Sequence, residues 1–122
     1  MPEQMASDHE QVLSEHILAQ SELLAGFSTI QLVYCTAAIA GNLPDLKEVD
    51  TECQELITKA ETGLKKLDAD TSGWESAEDA RKVTVLRQFY LYIKFAVINL
   101  QMHMIFTFDD TLLHNRALMA GN

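Results

Sequence analysis

Apolar positions recur at steps of three and four along most of the chain, the spacing of α-helices that each bury one face. Val12, Leu13, Ile17, Ala19, Leu23 and Leu24 keep to it, with Glu10, Glu15, Gln20 and Glu22 on other sides. Ser7 with Glu10 fits a capping box and Gly26 fits a C-cap, so the pattern predicts a helix over about 7–25. Ser28 with Gln31 fits the start of a second helix over 28–40, although one helix bent at Gly26 satisfies the same residues. Residues 30–40 carry no charge. That run is too short to span a bilayer, so it predicts a helix buried on most sides.

Gly41-Asn42-Leu43-Pro44 is the clearest punctuation, because Gly and Asn accept left-handed geometry after a helix and Pro suits the first turn of the next. A tight helical hairpin is expected there. From 44 to 67, Leu46, Val49, Cys53, Leu56, Ala60 and Leu67 form an apolar stripe widened by Ile57 and Leu64, with Lys and Glu elsewhere. Asp68 to Gly73 reads as a loop, and Ser72 with Glu75 or Ser76 with Asp79 can cap the next helix. Trp74 is expected to cover the open end of the bundle. No Gly or Pro occurs from 75 to 120, so a long last helix is predicted, with a break allowed near 107–110. Its Val, Ile, Tyr and Phe content also suits β-strands, but clean alternation and turn residues are missing. The fold class is therefore all-α: a single domain over 1–122, a three- or four-helix antiparallel bundle with a long C-terminal helix.

The last helix carries more apolar surface than one core contact needs. Leu86, Tyr90, Ile93, Val97, Leu100 and Met104 step as a core-facing seam, while Leu91, Phe95, Ile98, Met102 and Ile105 form a second apolar line. Only Arg87, Lys94 and Gln101, seven residues apart, mark a narrow polar stripe. A helix apolar on two sides needs cover on two sides, and 122 residues supply little material to wrap it. Leu91, Phe95, Ile98, Met102 and Phe106 are accordingly the expected contact surface for a second copy or a partner helix.

Charge then narrows the function classes. The chain has 9 Lys and Arg against 18 Asp and Glu, for a net charge of −9. All of this imbalance lies in residues 1–73, whose only cations are Lys47, Lys59, Lys65 and Lys66. Nucleic-acid binding needs clustered Lys and Arg to displace counterions, and no cluster exists. An acidic surface instead suits a basic protein partner. Lys94, Asn99, Gln101 and His103 within 89–108 argue against a membrane span, since a mid-bilayer charge costs roughly 2.5–3.5 kcal/mol. No Lys or Arg precedes Lys47, so no basic secretory or mitochondrial leader is expected and a cytoplasmic location is.

Candidate chemistry is sparse. Cys35 and Cys53 have no zinc-ligand spacing and are expected to be buried thiols. His103, Thr107, Asp110 and His114 share one helix face, and with His9 and His16 could offer metal ligands. None of the four histidines has a Glu three residues earlier, and HExxH is absent, so no metal or other cofactor is expected. Gly-rich phosphate loops and GxSxG are also missing, and no enzyme activity is expected. The sequence thus points to a small acidic helical protein-interaction module of the chaperone, adaptor or inhibitor type, homodimeric. The alternative is a helical bundle holding a small apolar ligand or a metal ion.

Overall fold

A computed structural model describes residues 2–108, with side chains from residue 8 onward. Among these residues the fold is entirely helical: α1 (Pro2–Ala40), α2 (Leu43–Asp70) and α3 (Ala77–Phe108). No strand occurs among them, so the β content of α3 is overridden by its 3–4 periodicity. The expected segments 7–25 and 28–40 are one continuous helix. Gly26 does not end it, because a Gly inside a helix costs only about 1 kcal/mol and packing against α2 continues on both sides. The helix also begins before Ser7, so that residue does not cap it. α3 spans 32 described residues and α1 spans 39, so the expected long last helix is matched only in part. The break allowed at 107–110 falls largely, and the remainder to 120 wholly, outside the described residues.

The hairpin forms where Gly and Pro place it. Gly41 has φ 69°, and the Asn42 side chain accepts a hydrogen bond from the Asp45 amide at 3.3 Å while Pro44 sits in the first turn. After α2, the Thr71 hydroxyl donates to the Leu67 carbonyl at 2.7 Å, and Gly73 at φ 84° turns the chain toward α3. Of the two caps, Ser76 is the one used, accepting from the Asp79 amide at 3.4 Å. Trp74 packs half-buried against the core and stacks on His9 with ring centroids 3.8 Å apart, closing that end as expected.

The helices run up, down and up. Residue numbers fall along α2 as they rise along α3, 68 pairing with 87, 61 with 94 and 54 with 101, whereas α1 and α3 are parallel. The core consists of α2's Leu46, Val49, Cys53, Leu56, Ile57, Ala60 and Leu67, α3's Val83, Leu86, Tyr90, Ile93, Val97 and Met104, and α1's Leu13, Leu23, Ile30, Tyr34 and Ala37. Both core seams predicted for α2 and α3 are thus buried, with Leu100 half-buried. The polar stripe of α3 does not face water alone. Arg87 pairs with Asp68, Lys94 with Glu61 at 3.5 Å, and Gln101 donates to Gln54 at 3.3 Å, so a heptad of α3 meets a heptad of α2. Gln101 is buried there and also reaches Asp50.

Candidate functional site

Three helices can cover only the inner arc of each member, and α2 is the one whose outer surface is charged. α1 and α3 expose large apolar side chains instead. On α1 these include Leu32 (70% exposed) and Ile39 (88%), and on α3 Tyr92 (64%) and Phe106 (78%). The expectation that 30–40 is buried on most sides is therefore overturned: only Ile30, Tyr34 and Ala37 are buried, because the other described helices pack against one side of this stretch, where Tyr34 reaches His103 of α3, and Leu32, Val33 and Ile39 face outward. Cys35 is likewise exposed, on the face opposite Ile30 and Ala37, while Cys53 is in the core.

Along its first half, the outer surface between α1 and α3 sinks into a groove of about 700 Å³. Leu13, Ile17 and Leu24 form one wall and Val85, Leu86 and Phe89 the other. Charge enters only at one end, where Lys82 pairs with Glu78 at 3.3 Å beside Arg81. A long apolar depression with a polar rim is the form that receives an apolar helix face or a small apolar ligand.

The expected contact line divides. Phe95, Met102 and Phe106 are exposed, while Leu91 and Ile98 are half-buried, Ile98 lying against the core. Periodicity placed Leu13, Ile17 and Leu24 on the apolar side of α1 but did not mark them as a groove wall, because it shows an apolar face and not which neighbour covers it.

Behind the groove, three side chains on three helices meet. His16 on α1 is buried, with Nδ1 2.7 Å from the Tyr90 hydroxyl of α3 and Nε2 2.9 Å from Oδ2 of Asp70 on α2. A carboxylate only accepts, so Nε2–H donates to Asp70, and in the neutral imidazole Nδ1 accepts from Tyr90. Burial, with the negative charge of Asp70, pushes the Tyr90 phenol above its ordinary pKa and keeps that proton in place. For Asp70, burial acts upward, but hydrogen bonds from His16 and Lys66, with the Lys66 charge, together hold its carboxyl below the ordinary value. The wiring is aspartate to histidine to hydroxyl, yet both ring nitrogens of His16, the Tyr90 hydroxyl and Oδ2 of Asp70 are engaged within it, and its effect is to tie the three helices at one level.

A carboxyl whose pKa is lower in the folded state contributes stability that is present above the unfolded value near 3.8 and is lost as pH falls through the folded one. Asp70→Asn should therefore destabilise the protein at pH 6 but flatten its loss of stability toward pH 3. Urea midpoints of both forms at the two pH values check this, and parallel curves would show that Asp70 gains nothing from His16.

The other histidines are engaged separately. His9 Nδ1 lies 2.9 Å from Asp79, and His103 Nδ1 lies 2.6 Å from the Tyr34 hydroxyl. All three described histidines thus bridge α1 to α3, at three different levels, and no group of three or more His, Cys, Asp or Glu suited to a metal occurs among the described residues. Asp110 and His114, named with them from sequence, lie outside the described residues. A smaller cavity of about 290 Å³ opens between α1 and α2 beside Gly26 and Gly63, with Glu22 and Lys59 at its lining.

Two stretches, Asp8–Ala40 and Ala77–Phe108, are long and apolar enough to cross a membrane, and little of either is buried. Charge is in fact absent all the way from residue 23 to 44. In this arrangement, however, α2 runs alongside both with Lys47, Glu48, Glu55 and Lys59 exposed, and each would cost several kcal/mol inside hydrocarbon. Compared with known proteins, the chain matches no family model, no curated protein and no solved structure.

Proposed function

We propose that the chain is a small acidic, cytoplasmic protein-interaction module, which self-associates and docks a helix of a protein partner on the outer face of α1 and α3. The single observation that carries this reading is the apolar groove of about 700 Å³ between two helices whose outward side chains are themselves apolar. Phe95, Met102 and Phe106 continue the contact surface along α3, with Leu91 and Ile98 beneath it. The acidic surface of α2 and the first half of α1 suits a partner with a basic rim, which would speed encounter more than it tightens binding. The groove also favours a second reading, a bundle that holds a small apolar ligand; native mass spectra retaining a non-protein mass would select it.

Site-specific photo-crosslinking tests the first reading. A photoreactive phenylalanine analogue at Phe89 or Phe106 should give protein adducts in cells, and the same probe at Thr58, on the exposed side of α2, should give few. Adducts confined to lipid, or equal yields from all three positions, would remove the interaction reading.

A further inference from the structure

α1 carries two interleaved lines at 3–4 spacing. Positions 13, 16, 20, 23, 27, 30, 34 and 37 face the bundle, whereas positions 11, 14, 18, 21, 25, 28, 32, 35 and 39 are all exposed and none of them is charged. Every seventh residue of this line from 18 onward is apolar (Leu18, Ala25, Leu32 and Ile39), with Ser21, Ser28 and Cys35 between them, a heptad spacing on which a second helix can pack. We propose that the occupant of this face is a second copy of the chain, packed α1 against α1 in antiparallel orientation about a two-fold axis near residues 26 and 27. The inference rests on reading the outer face as an interaction surface, and it names the partner.

Orientation is set by charge. Every charged residue of α1 is acidic and lies at or before Glu22: Glu3, Asp8, Glu10, Glu15 and Glu22. A parallel pair would set these halves side by side and bring Glu10 near Glu15 of the other copy, like charges at flanking positions. An antiparallel pair sets each acidic half beside the uncharged residues 23–40 of its mate. Side-chain size agrees. With Ala25 opposite Ser28, Leu32 falls opposite Ser21, Ile39 opposite Ser14 and Leu18 opposite Cys35, so each large residue meets a small one. In the parallel register Ser14, Ser21 and Ser28 would each meet themselves and leave the seam unfilled.

This register also fills the groove. Leu32 and Ile39 of one copy come to lie beside Ser21 and Ser14 of the other, at the wall formed by Leu13, Ile17 and Leu24. The exposed parts of Ile17, Leu18, Leu32 and Ile39 with Val85, Phe89 and Tyr92 amount to on the order of 800 Å² per copy, what one partner contributes to a standard stable interface.

Native mass spectrometry and light scattering of the full chain at micromolar concentration should give a dimer. Leu32→Glu with Ile39→Glu should raise its dissociation constant at least about tenfold with helix content unchanged, since both side chains stand in solvent within one copy. Orientation is read by mild oxidation. Cys53 is buried, and in the antiparallel pair the two Cys35 residues lie about 25 Å apart, so the native chain should form no disulfide-linked dimer. Leu18→Cys should form one through Cys35. A Cys35–Cys35 link in the native chain would overturn the antiparallel pair. A monomer, or a dimer indifferent to the two Glu substitutions, would overturn the α1 interface; protein adducts from the photoreactive probes would then still uphold a different partner. Flotation of a monomer with phosphatidylcholine vesicles would give the face to lipid and overturn both.

Discussion

Tyr90→Ala should lower the unfolding free energy by about 3–5 kcal/mol, a large part of the roughly 5–15 kcal/mol that holds a domain folded. The ring is 1% exposed and sits where all three helices meet, so its removal leaves a cavity that no neighbouring helix can close without losing its own seam. Tyr90→Phe separates the two parts of its role. It keeps the ring and removes only the hydroxyl, leaving Nδ1 of the buried His16 without its donor, at a cost of about 1–3 kcal/mol. Urea denaturation monitored by far-ultraviolet circular dichroism gives both values. A Phe variant as stable as the native chain would show that the hydroxyl adds nothing beyond its ring. Equal losses for the two would place the whole effect in the link to His16 and Asp70.

The helices and their core-facing seams were legible in sequence because each is a one-dimensional pattern. Leu86, Tyr90, Ile93, Val97 and Met104 are buried as their spacing demands, and the hairpin at 41–44 comes from the backbone preferences of Gly41 and Pro44 with the local cap at Asn42. What was not legible depends on which surfaces face each other. Arg87, Lys94 and Gln101 read only as a narrow polar stripe because a period of seven does not say what lies opposite, and Asp68, Glu61 and Gln54 on α2 carry the same period in reverse. Residues 30–40 read as buried because they lack charge, yet among the described residues there is no fourth element to cover them. The network of His16, Asp70 and Tyr90 did leave a signal: His16 and Gln20 interrupt the otherwise apolar line from Leu13 to Ala37, and a polar residue in such a line needs a buried partner. Gln20 finds the Leu86 carbonyl at 2.7 Å.

Gly63→Ala should destabilise the protein by about 1–3 kcal/mol, against the direction that helix propensity sets. In an unobstructed helix the change would stabilise by about 1 kcal/mol, since Gly loses more backbone freedom on folding than Ala. Here a Cβ on residue 63 would stand 2.8 Å from Cζ of Tyr90 and overlap its Cε1. A flexible side chain would step aside. This ring cannot do so cheaply, because its hydroxyl is held by His16 and the far side of the ring is packed in the core. The same geometry explains why a Gly sits in the interior of α2. The two positions should then couple. In a Tyr90→Leu background the colliding atoms are gone, so Gly63→Ala should become neutral or stabilising by up to about 1 kcal/mol, and the cycle should show a coupling of similar size to the single loss. Additive effects would mean that the ring yields freely and that the network behind it does not hold Tyr90 in place.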